Sequence, residues 1–328
     1  MDIKATGKTD IGLVRQANED YIKIWDEKNL YIVCDGMGGH NAGEVASSTA
    51  CELTARLFGG YFEELLADER LRLPRILPPS TDVLVKTVRI VNHWIHRRAA
   101  SDPNLAGMGT TIVAATIEDD IMTLLHVGDS RIYRFFDGQL FRLTVDHSWA
   151  AEVERAEQVS AEEARQRVNR NVITRALGVK ASVDIDIAVR KIVEDDIYIL
   201  CTDGLCGLVE DNDIRRVTAA GRSDVDTIAA DLVQLARERG GTDNISVVAL
   251  RVFGSVRPSV FAELDSVTVD AEPPEAYPAE EDWAVEAANP GGRKPQSRPP
   301  AGRSTFPVVA AIIVIMVIVV TFYFIFRG

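Results

Sequence analysis

Four short acidic motifs in the first 245 residues combine the residue types that bind divalent cations. They are Asn18-Glu19-Asp20 just after Arg15, Asp35-Gly36-Met37-Gly38-Gly39-His40, Asp203-Gly204, and Gly241-Thr242-Asp243-Asn244. Asp35 and Asp203 each follow an apolar run, so each lies where a predicted strand ends beside a glycine that leaves the backbone open. Carboxylate and carbonyl oxygens are the ligands that Mg²⁺ and Mn²⁺ prefer. If these points converge, we expect an oxygen-only metal site that hydrolyses phosphate esters without a protein nucleophile.

Each motif taken alone has a simpler interpretation. Asp-Gly is a common turn signal, and Arg15 could be a surface arginine paired with Glu19. The repeated strand–Asp arrangement and the adjacent pair Glu19-Asp20 favour a metal site, because divalent cations relieve the repulsion between neighbouring carboxylates. In an extended segment Arg15 and Glu19 share one face. A guanidinium beside bound cations is suited to holding a phosphate through two parallel hydrogen bonds.

Short β-rich runs alternate with helical stretches as far as residue 253. β-Branched and aromatic residues predict strands at Leu30–Cys34, Thr111–Ile117, Ile121–Val127, Arg131–Phe136, Asp196–Cys201 and Ile245–Arg251. Apolar residues three and four apart predict helices at Ala42–Leu66, Thr81–Arg98 and Val225–Arg239, the last capped by Ser223 or Asp224. Residues 148–180 are polar and mostly helical in pattern, and we interpret them either as a subdomain over a site or as a solvated surface excursion.

The composition argues against two classes of protein. A net charge of -13 disfavours a nucleic-acid binder, which needs a basic face. The four cysteines show no CxxC spacing, so we expect reduced thiols, with neither disulfides nor a zinc site. Cys34 and Cys201 end apolar runs and are predicted to be buried.

The amino-acid composition changes after residue 253. Residues 254–289 are acidic and rich in Ala and Pro, residues 290–305 are basic, and we interpret 254–305 as a disordered linker. Residues 306–326 carry no charge and are long enough for a transmembrane helix. The basic residues before them favour a cytoplasmic N-terminal part. We therefore expect a single-pass protein of the cell membrane, anchored in the lipid bilayer by this helix, with a cytoplasmic catalytic domain at 1–253.

The order of the motifs resembles that of the protein phosphatase 2C family, the metal-dependent Ser/Thr phosphatases, and most of all its bacterial members. Beyond the acidic motifs, the resemblance rests on Met108-Gly109-Thr110-Thr111, Val127-Gly128-Asp129-Ser130-Arg131 and Asp146-His147-Ser148. It implies an α+β fold, a four-layer α-β-β-α sandwich of two antiparallel sheets flanked by helices, with the metals at one end. It also implies that residues 148–180 are the family's flap, next to the active site.

The resemblance further implies a set of oxygen ligands for two core ions, Mn²⁺ or Mg²⁺. These ligands are Asp35, which bridges the ions, Asp203, Asp243, the Gly36 carbonyl, and Glu19 and Asp20, the last two mainly through bound water. Asp129 and Asp203 are expected to bind a third, weaker ion. Arg15 is expected to hold the phosphate while a metal-activated water attacks it, so Arg15 and Asp35 are the predicted catalytic residues.

Met37 departs from the pattern of the eukaryotic members, which place a histidine directly after the Asp-Gly pair as general acid. Methionine cannot donate a proton, and His40 is near but not equivalent, so the general acid stays unassigned, with bound water as one alternative. We interpret His40 as structural, His147 as having a structural or a substrate-side role, and His126 as a core or edge residue. The expected substrates are phosphorylated proteins, including a Ser/Thr protein kinase and its targets. The alternative is a catalytically inactive scaffold that binds phosphoproteins at the membrane, which the intact carboxylate set disfavours.

Overall fold

The computed structural model describes residues 1–39, 42–67, 77–168, 172–221, 224–254 and 258–269. In chain order the strands are β1 Asp2–Asp10, β2 Asp20–Trp25, β3 Leu30–Met37, β4 Gly109–Thr110, β5 Ile112–Glu118, β6 Ile121–Val127, β7 Arg131–Phe136, β8 Gln139–Arg142, β9 Ile185–Lys191, β10 Ile197–Cys201, β11 Ile245–Phe253 and β12 Leu264–Val269. The helices are α1 Ala42–Gly60, α2 Phe62–Ala67, α3 Pro79–Ser101, α4 Trp149–Glu157, α5 Ala161–Arg167, α6 Asp203–Cys206, α7 Asp211–Ala220 and α8 Val225–Glu238. Short 3-10 helices cover Asp26–Lys28 and Pro103–Leu105.

The strands form two antiparallel sheets. One sheet has the order β1-β11-β10-β7-β8, and the other has the order β12-β9-β6-β5-β3-β2, with β4 paired to β3. Helices α1 and α3 lie against the seven-stranded sheet, and α8 lies against β1 and β11 of the five-stranded sheet. The prediction of two antiparallel sheets flanked by helices is therefore confirmed.

Strands β10 and β11 of the smaller sheet are buried on both faces. On β10, Ile197, Ile199 and Cys201 face a hydrophobic core shared with α7 and α8. The alternate residues Tyr198 and Leu200 belong to a second core, which lies between the two sheets and includes side chains of β3 and β5. Side chains on a strand alternate between faces, so a strand sandwiched in this way needs an unbroken apolar run. The predicted burial of Cys34 and Cys201 is confirmed.

The helix predicted at Ala42–Leu66 is interrupted in the structure. Helix α1 ends at Gly60, and α2 begins at Phe62. A Cβ atom at Gly59 would lie 2.2 Å from the Trp25 ring, so the glycine allows the end of α1 to approach that tryptophan. The third predicted helix matches α8, and Asp224 caps it by accepting a hydrogen bond from the amide of Asp226.

The predicted linker begins too early in the sequence. Strand β12 pairs with β9, with Val267 opposite Ile187 and Val269 opposite Ile185. The acidic composition of 254–289 suggested disorder, but a few apolar residues suffice to extend an existing sheet by one edge strand, so the prediction is wrong for 264–269. The remainder of the linker and the apolar segment 306–326 lie outside the described residues. Within the described residues, no helix is both long and apolar enough to span a membrane.

Candidate metal and phosphate site

Strands β2 and β3 place two acids side by side. Asp20 begins β2, and the antiparallel register makes it the direct cross-strand partner of Asp35 in β3. Glu19 precedes this pair, and its carbonyl accepts a hydrogen bond from the amide of Gly36 at 3.1 Å. The amide of Glu19 donates to Asn244 Oδ1 at 2.8 Å. The motif Asn18-Glu19-Asp20 is thereby fixed to both sheets.

The ends of β10 and β11 supply two further acids. Asp203 is the first residue of α6, directly after β10, and Asp243 lies just before β11. Thr202 precedes α6 and donates its hydroxyl to Asp20 Oδ2 at 2.9 Å. The amide of Ser246 donates to the same hydroxyl of Thr202 at 3.0 Å. These bonds hold the strand ends of the two sheets together, so acids from both sheets meet at one end of the sandwich.

The glycines of two Asp-Gly pairs allow the backbone segments to approach closely. A Cβ atom at Gly204 would lie 1.8 Å from the carbonyl oxygen of Asn244, and one at Gly36 would lie 2.1 Å from that of Gly43. Real Cβ atoms do not tolerate such contacts, so any side chain there would push the strand ends apart. Neither glycine has a positive φ, and the close packing, not a turn conformation, explains the Asp-Gly sequence.

Burial, and after it the repulsion among the clustered acids, raises their pKa values. Burial raises the pKa of Asp20 to about 7, and repulsion from Asp203 and Asp243 adds to the effect. Burial also raises the pKa of Asp129 to about 7, again with repulsion from Asp203. The pKa of Asp35 lies well above its usual range because its carboxyl is desolvated and faces Asp20, Asp203 and Asp129. The protein's own side chains therefore leave this negative charge undercompensated.

The donor set fits divalent cations. All of its side-chain donors are carboxylate oxygens, the ligand type of Mg²⁺ and Mn²⁺, and Asp129 Oδ1 is buried without a hydrogen-bond partner in the described part of the chain. The acids do not form a closed cage for a single ion. Among described residues, only His126, His147 and Asp186 bring three ligand atoms within 4.8 Å of one another.

Arg15 approaches the acids from the loop between β1 and β2. Its Nη2 donates to Asp243 Oδ2 at 2.8 Å, so the ion pair forms with Asp243 and not with Glu19. This hydrogen bond raises the pKa of Arg15 and keeps the guanidinium charged. Its side chain is 49% exposed, so the guanidinium remains accessible to a ligand from solvent.

A cavity of about 230 Å³ opens beside Asp129, Asp203 and Asp243. Its other lining residues include Arg131, Arg142, Asp146, Ala150, Ala151 and Glu154. Asp146 accepts two hydrogen bonds from Arg131, at 2.9 and 2.7 Å, and a third from Arg142. Helix α4, in the segment predicted to be the flap, thus contributes to the wall of a cavity that reaches the acids.

The polar residues that hold the acids in place had not been identified as functional from the sequence. Thr111 accepts a hydrogen bond from the amide of Asp35 at 3.0 Å, and Thr110 donates to the carbonyl of Asp35 at 2.8 Å. Both threonines belong to the motif Met108-Gly109-Thr110-Thr111, which supported the family resemblance without being assigned a role. His126 is buried as predicted, and burial followed by repulsion from His147 lowers its pKa to about 3. His40 lies outside the described residues.

Comparisons with known proteins identify the family to which the chain belongs. The family model for protein phosphatase 2C matches residues 14–245, so the chain belongs to the protein phosphatase 2C family and is a protein serine/threonine phosphatase. It is 35% identical over 247 residues to a serine/threonine phosphatase of Listeria monocytogenes, an alignment that covers 74% of this chain and 92% of that relative.

Solved structures show the same similarity. The crystal structure of the Mycobacterium tuberculosis serine/threonine phosphatase PstP/Ppp has a TM-score of 0.67 at 32% identity, covering 77% of this chain and 100% of that one. The catalytic domain of PstP, solved in complex with two manganese ions, has a TM-score of 0.64 at 32% identity and covers 77% of this chain and 99% of that one.

Proposed function

We propose that this phosphatase hydrolyses phosphoserine and phosphothreonine in proteins at the acidic group, with two Mn²⁺ or Mg²⁺ ions held by its carboxylates. The observation that carries the proposal is the convergence of acids from both sheets beside the half-exposed Arg15. Metal dependence is a property of the family, and the two manganese ions in the mycobacterial catalytic domain support the choice of metal.

The resemblance to the family implies the proposed ligands, and the placement of the acids supports them. Asp35, Asp203, Asp243, the Gly36 carbonyl, Glu19 and Asp20 would hold the two ions. When bound, such ions supply Lewis acidity that makes a water molecule nucleophilic near neutral pH. We assign a third, weaker ion to Asp129 and Asp203, an assignment supported by the unpartnered buried Oδ1 of Asp129.

Arg15 is the proposed phosphate ligand. Its guanidinium lies next to the acids and donates to Asp243 through Nη2, so its other N–H groups remain to contact phosphate oxygens. A bidentate contact of this kind positions the phosphorus and stabilises charge that develops on its oxygens. Arg15 and Asp35 are thus the residues to which we assign catalysis.

No described side chain is assigned as the general acid. Met37 ends β3 two residues after Asp35, at the position where the eukaryotic family members place a histidine, but a thioether carries no proton. The leaving alkoxide must therefore take its proton from another source, such as solvent. A flat dependence of kcat on pH through the histidine range would support this view.

Metal-dependent hydrolysis of a phosphoserine peptide by the full-length protein tests the proposal. We expect turnover with Mn²⁺ or Mg²⁺, none with EDTA, and a loss of at least about a hundredfold for Asp203→Ala. Asp184→Ala is a matched control, because Asp184 is exposed. A folded protein without activity in either metal would instead favour the inactive scaffold, and wild-type rates for Asp203→Ala would refute the metal assignment.

We further infer that the phosphatase is tethered to the cytoplasmic face of the membrane through residues 306–326. The support is the uncharged composition of that segment and the basic residues before it. A tether raises the effective concentration of the enzyme for substrates at the membrane, which suits a Ser/Thr protein kinase and its targets. Deleting residues 304–328 should move the protein to the supernatant after cell fractionation. Retention of the truncated chain in the membrane pellet would refute the tether.

A further inference from the structure

One group of charged residues outside the acidic site joins the two ends of the flap segment. Asp186 lies on β9, and its Oδ2 accepts a hydrogen bond from His147 Nε2 at 3.0 Å. Its Oδ1 accepts from Arg175 Nη1 at 3.0 Å. His147 immediately precedes residues 148–180, and Arg175 lies near their end, where the chain returns to the sheet. A single carboxylate thus holds both ends of the segment, at His147 and Arg175, which we call the flap roots.

Backbone contacts show that the two roots are neighbours in space. The amide of Trp149 donates to the carbonyl of Val172 at 2.9 Å, and the amide of Thr174 donates to the carbonyl of His147 at 2.8 Å. His147 is also joined twice to Gly128, the residue before Asp129. Its backbone amide donates to the Gly128 carbonyl at 2.7 Å, and its Nδ1 accepts from the Gly128 amide at 3.1 Å. The flap roots are therefore connected directly to a wall of the acidic site.

We call the contacts of Asp186 with His147 and Arg175 the clamp. Two observations favour an ionic clamp over a second metal site at His126, His147 and Asp186. The Gly128 amide donates to Nδ1 of His147, which places the ring proton on Nε2, where it points at Asp186. A metal would need that nitrogen without its proton. Arg175 already supplies the positive charge, since its Nη1 is 3.0 Å from Asp186 and 3.3 Å from His147 Nε2.

The clamp has a third member from the C-terminal edge strand. Thr268 on β12 donates its hydroxyl to Asp186 Oδ1 at 2.7 Å. With this bond, Asp186 accepts hydrogen bonds from three segments that lie far apart in sequence. Partial burial favours a higher pKa for Asp186, but these contacts, of which the hydrogen bond from His147 is the largest, hold its pKa below the usual range. Strand β12 lies within the segment predicted to be the linker, so the clamp is where this part of the chain contacts the flap roots.

We propose that Asp186 is a positioning residue for the dephosphorylation of proteins, because it fixes both roots of the flap segment against β9, and that Thr268 completes this clamp. Helix α4 lines the cavity beside Asp129 and Asp203, so the clamp sets where that wall stands relative to a bound protein. The catalytic consequence rests on the proposed function. A substrate that extends beyond the phosphate depends on the wall, whereas a small aryl phosphate that reaches only the acids does not.

Hydrogen–deuterium exchange of the full-length protein tests the clamp without reference to activity. Asp186→Asn keeps the shape of the side chain but replaces an acceptor by an amide donor facing His147 or Arg175. We expect the amides of residues 148–168 to exchange about tenfold faster, the effect of losing a hydrogen bond to a charged group. The matched control Asp184→Asn removes the same charge at an exposed position two residues away and should leave exchange unchanged. Unchanged exchange in Asp186→Asn, or equal acceleration in both variants, would overturn the proposal.

The ratio of two activities tests the positioning role. For Asp186→Asn, kcat/KM for a phosphorylated protein should fall about tenfold, mainly through KM, while kcat/KM for p-nitrophenyl phosphate stays within about twofold. An equal loss for both substrates would overturn the positioning role, because it would place Asp186 in the chemistry itself. If the wild type hydrolyses neither substrate, the proposed function fails, but the exchange experiment still decides the clamp.

A milder variant covers the case in which Asp186→Asn does not fold. Thr268→Val removes one hydroxyl from the clamp with little change in shape, and Ser266→Ala removes one from an exposed position on the same strand. We expect Thr268→Val to accelerate exchange at residues 148–168 about threefold. Identical behaviour of Thr268→Val and Ser266→Ala would show that β12 does not participate, and the proposal would then be wrong for Thr268.

Discussion

Replacing Asp129 by asparagine should stabilise the metal-free protein, and only at high pH. Asp129 is 8% exposed, its Oδ1 has no partner in the described part of the chain, and burial with repulsion from Asp203 raises its pKa to about 7. In the unfolded chain the pKa returns to its ordinary value of 3.8. A group whose pKa is higher in the folded state contributes its full stability below the unfolded pKa. That contribution is lost as the pH rises through the folded pKa.

The size of the effect follows from the two pKa values. Raising a carboxyl pKa from 3.8 to about 7 costs about 4 kcal/mol of folding free energy at pH 8, above both values. The asparagine of Asp129→Asn carries no charge but leaves a buried polar group without a partner, so we expect it to recover about 2 kcal/mol. At pH 5 the folded carboxyl is largely protonated and as neutral as the amide, so the same substitution should change stability by less than about 1 kcal/mol.

Thermal unfolding in EDTA at pH 5 and pH 8 measures the difference. A gain of about 2 kcal/mol corresponds to a rise in Tm of about 4–8 °C for a domain of this size. The control Asp184→Asn, at an exposed position, should change Tm little at either pH. An equal gain at both pH values, or no gain at pH 8, would refute the conclusion that the buried charge of Asp129 destabilises the metal-free fold.

Three further substitutions test other parts of the structure. Gly204→Ala should cost more than about 3 kcal/mol in urea unfolding, because its Cβ would lie 1.8 Å from a carbonyl oxygen, whereas Gly60→Ala meets no atom within 4 Å and should cost little. Arg15→Lys should lower kcat/KM for a phosphopeptide by about tenfold or more, since a single ammonium cannot replace a bidentate contact, and an unchanged value would remove Arg15 from the phosphate site. Asp196→Ala should destabilise the protein by about 3–5 kcal/mol, because Asp196 is fully buried and receives two hydrogen bonds from Arg134; a loss below about 1 kcal/mol would contradict this.

The sequence predicted those elements whose pattern is set by burial. Strands β10 and β11 are buried on both faces and read as continuous apolar runs, and α8 shows a regular apolar stripe and a capping aspartate. Strands β1, β2, β9 and β12 were not predicted. Strands β1, β2 and β12 are partly exposed, and their composition differs little from that of a loop, whereas β9 is mostly buried but carries Asp186 and Arg190 among its apolar residues. Such strands are specified by the neighbour with which they pair, which a local pattern does not reveal.

In the candidate site, too, the sequence predicted some residues but not the contacts between distant segments. Asp35 and Asp203 were recognised because each follows a buried apolar run and precedes a glycine, and the structure shows that the glycines are required by close backbone contact. The partner of Arg15 was not predictable, because Asp243 is 228 residues away along the chain. The clamp was also invisible in the sequence, since His147, Asp186 and Thr268 share neither a motif nor a spacing. Their proximity depends on the pairing of β9 with β6 and β12.

The placement of the acids connects metal binding to the stability of the whole sandwich. Asp20 and Asp35 come from the seven-stranded sheet, whereas Asp203 and Asp243 come from the ends of strands in the other sheet. Without cations, these groups are buried and repel one another across the junction between the sheets, and burial first and repulsion second raise the pKa values of Asp20 and Asp35. Divalent cations bound there would turn the repulsion into a cross-link, with a gain in stability that grows with free metal concentration. The same carboxylates that make the metal-free fold sensitive to pH would therefore make the loaded protein the more stable form.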